Sequence, residues 1–212
     1  MPKRCFSLPD NGGFPGKEID KNIFPEYIGK DDRNISERII KMSVAILMGS
    51  KSDLDIVRNA FDVLDEFGVK FTARIMSAHR TPHEAAGFAS EAEAKGCKVI
   101  ICAAGMAAHL GGVVAAHTTL PVIGIPMASE PFKAVDSLLA TVQMPPGIPV
   151  AAVTCGKAGA KNAALYAVSI LATADEELAA KLKEFRKKQR EQVLAADEEL
   201  QNELKERKNV KN

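Results

Sequence analysis

His79 and Arg80 stand side by side in IMSAHRTPH, residues 75–83, directly behind an apolar run. A histidine takes up and returns a proton near neutral pH. An arginine is a permanent cation whose planar fork suits a phosphate. Together they offer proton transfer next to anion binding. Part of the stretch needs no function. Thr81 fits a helix N-cap, Pro82 the first helical position, and Glu84 closes a capping box. His83 then falls in the first helical turn, facing solvent, and is read as structural. Capping leaves SAHR, residues 77–80, unexplained.

Two more stretches carry polar groups behind apolar runs. In MGSKSD (48–53), Gly49 permits a tight turn, Ser50 and Ser52 bring hydroxyls, and the amides of a helix start point the same way. This is either a phosphate site or plain capping by Ser52 or Asp53. Its spacing matches neither the P-loop nor the dinucleotide fingerprint. In AAGMAAHLGG (103–112), Gly105 allows close backbone approach and the small residues leave room for a flat ligand. His109 falls on the first turn of the next helix, as a catalyst or as a packed or capping group. Lys157 and Asn162 are further polar candidates. Cys155 has no histidine near it in sequence, so it reads as a free thiol rather than a nucleophile. With Cys5, Cys97 and Cys102 it forms no CxxC pair, as in a reducing cytosol, and Cys102 and Cys155 sit in apolar runs that read as buried strands.

These stretches sit in a strand–helix rhythm that begins at residue 44. Strands are expected at 44–48, 70–76, 98–104, 120–127 and 148–154. The stretch 53–68 carries Leu54, Val57, Ala60, Phe61 and Leu64 at helical spacing, and helices also follow at 82–96, 107–118 and 158–172. Such alternation predicts right-handed crossovers and a parallel sheet covered by helices. The fold class is α/β, a three-layer sandwich with a five-stranded parallel sheet in flavodoxin-like order. Ligands of such sheets bind at the carboxyl ends of the strands, where every polar stretch above lies. Residues 128–147 read as an irregular, lid-like segment before the last strand.

Outside this core the composition changes. Residues 1–42 mix prolines, glycines and charges without a period and read as an extended or poorly ordered arm. Residues 174–212 form a charged helix with a thin apolar stripe of Leu178, Leu182, Phe185, Val193, Leu200 and Leu204. That stripe packs on its own domain or on a partner subunit. The 212 residues carry a net charge of +1, so bulk electrostatics give no reason to expect nucleic acid or an anionic membrane. No apolar run is long enough to span a bilayer, and no secretory signal is visible, which points to the cytoplasm.

In order and spacing, VAILMGSKSD, SAHRTP, AAG…AAHL, VDSLLATVQMPPGIPVA and GKAGAKNAAL resemble class I PurE, the 5-(carboxyamino)imidazole ribonucleotide mutases of purine biosynthesis. The resemblance covers about residues 43–195. It implies a catalytic domain at 43–173 and a homo-octamer with active sites between subunits, the C-terminal helix reaching over a neighbour. It implies that Ser50 and Arg80 hold the ribonucleotide phosphate and that Asp53 contacts the ribose or phosphate region. Ser52, Ser77, Ala78, Gly105, Met106, Ala107, His109 and Leu110 would line the site, with His79 as acid and base. No metal, ATP or other cofactor is implied. Two positions depart from the family loop Gly-Gly-Ala-Ala-His-Leu-Pro-Gly: Met106 replaces the second glycine and Gly111 the proline. Class II relatives carboxylate aminoimidazole ribonucleotide directly with CO2 and carry Lys after the histidine, where this chain has Arg80. A non-catalytic, ribonucleotide-binding flavodoxin-like protein is the alternative from another class.

Overall fold

The computed structural model describes residues 44–209. The arm expected at 1–42 lies outside the described residues. Five parallel strands are ordered β2-β1-β3-β4-β5, with β1 Val44–Met48, β2 Phe71–Ile75, β3 Val99–Gly105, β4 Val122–Met127 and β5 Ala151–Ala152. This is the flavodoxin order, with its switch point between β1 and β3. The central strand runs in register with both neighbours, Met48 facing Ile75 on one side and Ala103 on the other. Strands buried on both faces are apolar throughout, and β1 and β4 have no exposed residue.

Helices α1 (Leu54–Phe67) and α5 (Gly156–Leu171) pack together on one face; α2 (Pro82–Ala92), α3 (His109–Ala115) and α4 (Val135–Val142) cover the other. Val44, Ile46, Ile101 and Ile125 of the sheet meet Val57, Leu64, Ala160 and Ala164 of α1 and α5 in one core. The small side chains of α5 let it lie close to the strands.

Three expectations need correction. Segment 128–147 is not wholly irregular, because it contains α4. Buried Ser137 donates to the Met127 carbonyl at 2.9 Å, and Thr141 to the Ser137 carbonyl at 2.7 Å, fixing this helix beside the end of β4. The last strand is only Ala151–Ala152: Pro149 has no N–H for a ladder, and Ile148 is used in a turn to the Pro145 carbonyl. Cys155 is exposed at the N-terminal edge of α5 rather than buried in a strand; Cys102 is buried as expected, and burial pushes its thiol up.

The charged C-terminal stretch is one helix, α6 (Glu176–Asn209). Its apolar stripe divides. Leu178 is buried, Leu182 and Phe185 pack on the core, and the Phe185 ring lies 5.4 Å from that of Phe67. Residues 186–207 are all exposed, leaving about 30 Å of helix bare. Val193, Leu194, Leu200 and Leu204 lie on that part. No described helix is long and apolar enough to cross a membrane.

Candidate active site

Loops after β1, β2, β3 and β4 converge at the carboxyl end of the sheet around a cavity of about 600 Å³. The β1 loop starts with Gly49, whose N–H bonds the Ala103 carbonyl at 3.1 Å. A single 3-10 turn, Lys51–Asp53, leads into α1. Ser50 caps this turn: its hydroxyl accepts from the Ser52 N–H at 3.3 Å and the Ser52 hydroxyl at 2.9 Å, while Asp53 stands at the N-cap position of α1 without a side-chain cap bond. Burial pushes the Asp53 carboxyl up from the usual carboxylate range. Hydrogen bonds from the Ser50 main chain and the Ser52 side chain, with the Arg80 charge, oppose that rise.

In the β2 loop the Ser77 hydroxyl accepts from the N–H groups of His79 at 3.4 Å and Arg80 at 3.2 Å. Thr81 occupies the N-cap position, yet its side chain makes no cap bond to α2. It accepts from the Ser77 N–H at 2.8 Å and donates to the Ser77 carbonyl at 3.2 Å. The expected capping box is therefore half right: Pro82 begins the helix, while Thr81 braces the reactive turn. Arg80 bridges the first two loops, with Nη2 donating to the Gly49 carbonyl at 2.7 Å and Nε to Ser77 Oγ at 3.4 Å. A guanidinium has five donors, so others remain for an anion. His83 is exposed on α2 and does not line the cavity.

The β3 loop supplies the second histidine. His79 Nε2 lies 2.7 Å from His109 Nδ1, with the rings at 70°. At that distance one nitrogen must donate and the other accept, so the pair cannot carry a proton on both facing nitrogens. The loop is held in costly backbone: Met106 has φ 54° and Ala108 φ 44°, left-handed values that cost an L-residue about 1–2 kcal/mol. Gly105 packs flat on β4, where an added Cβ would meet the Met127 carbonyl at 3.3 Å.

Every site residue that the PurE resemblance implies lines this one cavity. Ser50, Ser52 and Asp53 come from the first loop, Ser77, Ala78, His79 and Arg80 from the second, and Gly105, Met106, Ala107, His109 and Leu110 from the third. Lys157 and Asn162 do not line it; Asn162 lies on α5 in a groove with Leu182 and Phe185.

A family model described as AIR carboxylase matches residues 43–192. The chain belongs to this family. Proteins named N5-carboxyaminoimidazole ribonucleotide mutase match over nearly their whole length. That of Vibrio parahaemolyticus is 52% identical over 73% of this chain and 96% of its own. That of Bacillus subtilis is 50% identical over 74% and 97%. The crystal structure of Treponema denticola PurE superposes with a TM-score of 0.68 at 32% identity, covering 74% of this chain and 97% of the other. The match makes the chain a class I PurE, and residues 43–192 include all four loops of the cavity. Where the family loop has its second glycine, this chain holds exposed Met106 in a left-handed conformation.

One loop escaped the sequence reading. Met127, Ala128 and Ser129, at the end of β4, also line the cavity. The Ser129 hydroxyl oxygen is buried without a hydrogen-bond partner among the described residues and is a ready contact for a ligand. The signal was available, since it follows a parallel strand like the other three. Among the described residues nothing closes over the cavity: within 128–147 only Ala128 and Ser129 line it, and His79, Arg80 and His109 are exposed.

Proposed function

We propose that the chain is a 5-(carboxyamino)imidazole ribonucleotide mutase, an isomerase of purine biosynthesis. It moves the carboxylate from the exocyclic nitrogen to ring carbon 4, giving 4-carboxy-5-aminoimidazole ribonucleotide. The observation that carries this reading is the His79–His109 contact at 2.7 Å in the same cavity as Arg80 and the Ser50–Ser52 pair.

The chemistry needs one proton carrier. His79 gives its proton to the exocyclic nitrogen as the N–C bond breaks, leaving a free amine and CO2. Ring carbon 4 then attacks CO2, and the new C–C bond leaves that carbon with both hydrogen and carboxylate. His79 takes back the proton from carbon 4, restoring the aromatic ring. Proton count and charge close over the cycle without an external base. Held close to carbon 4, CO2 reacts at a high effective concentration, a main source of rate. Arg80 and Ser50 hold the phosphate, Asp53 contacts the ribose or phosphate region, and Ser52, Ser77, Ala78 and the 105–110 loop enclose the rest. The proton cycle calls on no metal or cofactor.

The reading extends to assembly. The outer face of α4 exposes Val135, Leu138, Leu139 and Val142, with Phe132 beside it, and the far half of α6 is bare. Both suit a homo-oligomer, an octamer in the cytoplasm, in which the part of α6 beyond Phe185 packs on a neighbouring subunit and copies close the open cavity. The direct carboxylase is the second reading, favoured by the family description. Arg80 in place of Lys, and 50–53% identity to proteins named as mutases, weigh against it. The test is to assay the purified chain with the carboxyamino substrate and, separately, with aminoimidazole ribonucleotide plus bicarbonate. Turnover of the first supports the mutase, turnover of only the second the carboxylase, and binding without turnover a non-catalytic protein.

A further inference from the structure

The far half of α6 continues a stripe that its near half has already used. Leu178, Leu182 and Phe185 meet the protein's own core. Gln189, Val193, Ala196, Leu200 and Leu204 follow in steps of three and four, an eleven-residue repeat that keeps them on the same face of a nearly straight helix. Beyond Phe185 that face is bare. The family match ends at residue 192, so the stretch from Val193 onwards lies outside it.

The charges indicate what covers this face. Residues 183–190 hold Lys183, Arg186, Lys187, Lys188 and Arg190 against one acid, Glu184. Residues 191–203 hold five acids and no Lys or Arg. On the flanks of the stripe, Arg186, Lys188, Arg190, Asp197 and Glu199 enter no ion pair among the described residues. A second copy lying parallel would set basic against basic and acidic against acidic. A copy lying antiparallel and crossing at Val193 sets each block against its opposite. The same crossing brings the stripe into register with itself. Val193 meets Val193, Gln189 meets Ala196, and Leu200 and Leu204 reach the level of Phe185 and Leu182. Beside those two side chains α5 and α6 leave a groove of about 490 Å³, walled also by Leu165 and Tyr166.

Resting on the homo-oligomer reading, we infer that α6 pairs antiparallel with α6 of a second copy, about a twofold axis near Val193. The same surface serves both copies. Leu200 and Leu204 of each seat in the other's groove between α5 and α6. Asp197 of one copy comes between Arg186 and Arg190 of the other, and Glu199 beside Lys188. Burial of the stripe supplies the affinity. The exposed ion pairs add little to it but select the antiparallel sense.

The test is the distance between spin labels in the full chain, with Cys5 and Cys155 replaced by serine; Cys97 and Cys102 are buried. Labels are placed off the stripe, at Gln192→Cys or at Asn202→Cys. With helix axes about 8–10 Å apart and a rise of about 1.5 Å per residue, labels at 192 should lie within about 20 Å of each other and labels at 202 about 30 Å apart. Reversing the basic flank with Arg186→Glu, Lys188→Glu and Arg190→Glu should abolish the short distance at 192. Adding Asp197→Lys and Glu199→Lys should restore it, which a merely weakened helix would not do. Short distances at both positions mean a parallel pair and overturn the inference, as does a combined variant that stays unpaired. An oligomer by sedimentation with no short distance at 192 overturns the pairing and leaves the homo-oligomer reading standing. A chain that sediments as a single copy overturns both.

Discussion

The two ends of the cavity are built by different means. At the Ser50–Asp53 and Ser77–Arg80 end, order comes from hydrogen bonds. Hydroxyls cap turns, Thr81 braces the loop, and Arg80 ties β2's loop to β1's through the Gly49 carbonyl. At the Gly105–His109 end there are few such bonds; order comes from packing on β4 and from backbone held at unfavourable angles. An anion needs many donors aimed at one place, and those donors can cap turns in the meantime. A flat ring and CO2 need a smooth wall without competing polar groups, and small residues in tight backbone make one.

That contrast can be broken residue by residue. Losing His109 should be the largest effect at the strained end. His109→Ala should lower kcat about 100-fold, since His79 loses the ring that contacts its Nε2 and holds it in place. Steady-state kinetics checks this; a native kcat in the folded variant would remove His109 from the machinery. At the bonded end, Arg80→Ala should raise KM about 10–100-fold with a smaller change in kcat, the scale of a lost charged hydrogen bond.

Met106→Gly should stabilise the protein by about 0.5–1 kcal/mol. Relief of the left-handed strain outweighs the added freedom of the unfolded chain, and the exposed side chain loses little packing. Urea midpoints check it, with Ala107→Gly, at a residue that is also exposed but has no positive φ, expected to destabilise. Asp53→Asn should be the smallest. The folded protein raises this carboxyl above its ordinary value, chiefly by burial, so it binds the proton more tightly than the unfolded chain does. Stability therefore falls as pH rises through the folded value. The asparagine variant should melt slightly higher at pH 7, and the gain should vanish as the pH falls towards 3.8. A gain that persists at acid pH would place its source elsewhere.

The sheet and three of the four site loops were legible because one rule covers both. A parallel strand buried on two faces is an apolar run, and whatever polar residues follow it lie at the ligand end. What escaped notice broke that pattern. Helix α4 carries its apolar residues, Val135, Leu138, Leu139 and Val142, on the outside and buries Ser137 and Thr141. A period read as core-facing therefore points the wrong way, and the helix starts after two left-handed residues, Lys133 and Ala134. Thr81 looked like a cap because its sequence context is that of one; only the fold shows its hydroxyl turned back to Ser77. Ser129 was hidden in the segment taken for a lid.

The central claim is that one histidine both gives and recovers the proton. His79→Asn tests it most directly: purified variant, carboxyamino substrate, turnover and ribonucleotide affinity measured on the same sample. The account predicts a kcat at least about 1,000-fold lower, with the dissociation constant changed by no more than about threefold. Turnover near the native rate with the same affinity would contradict it.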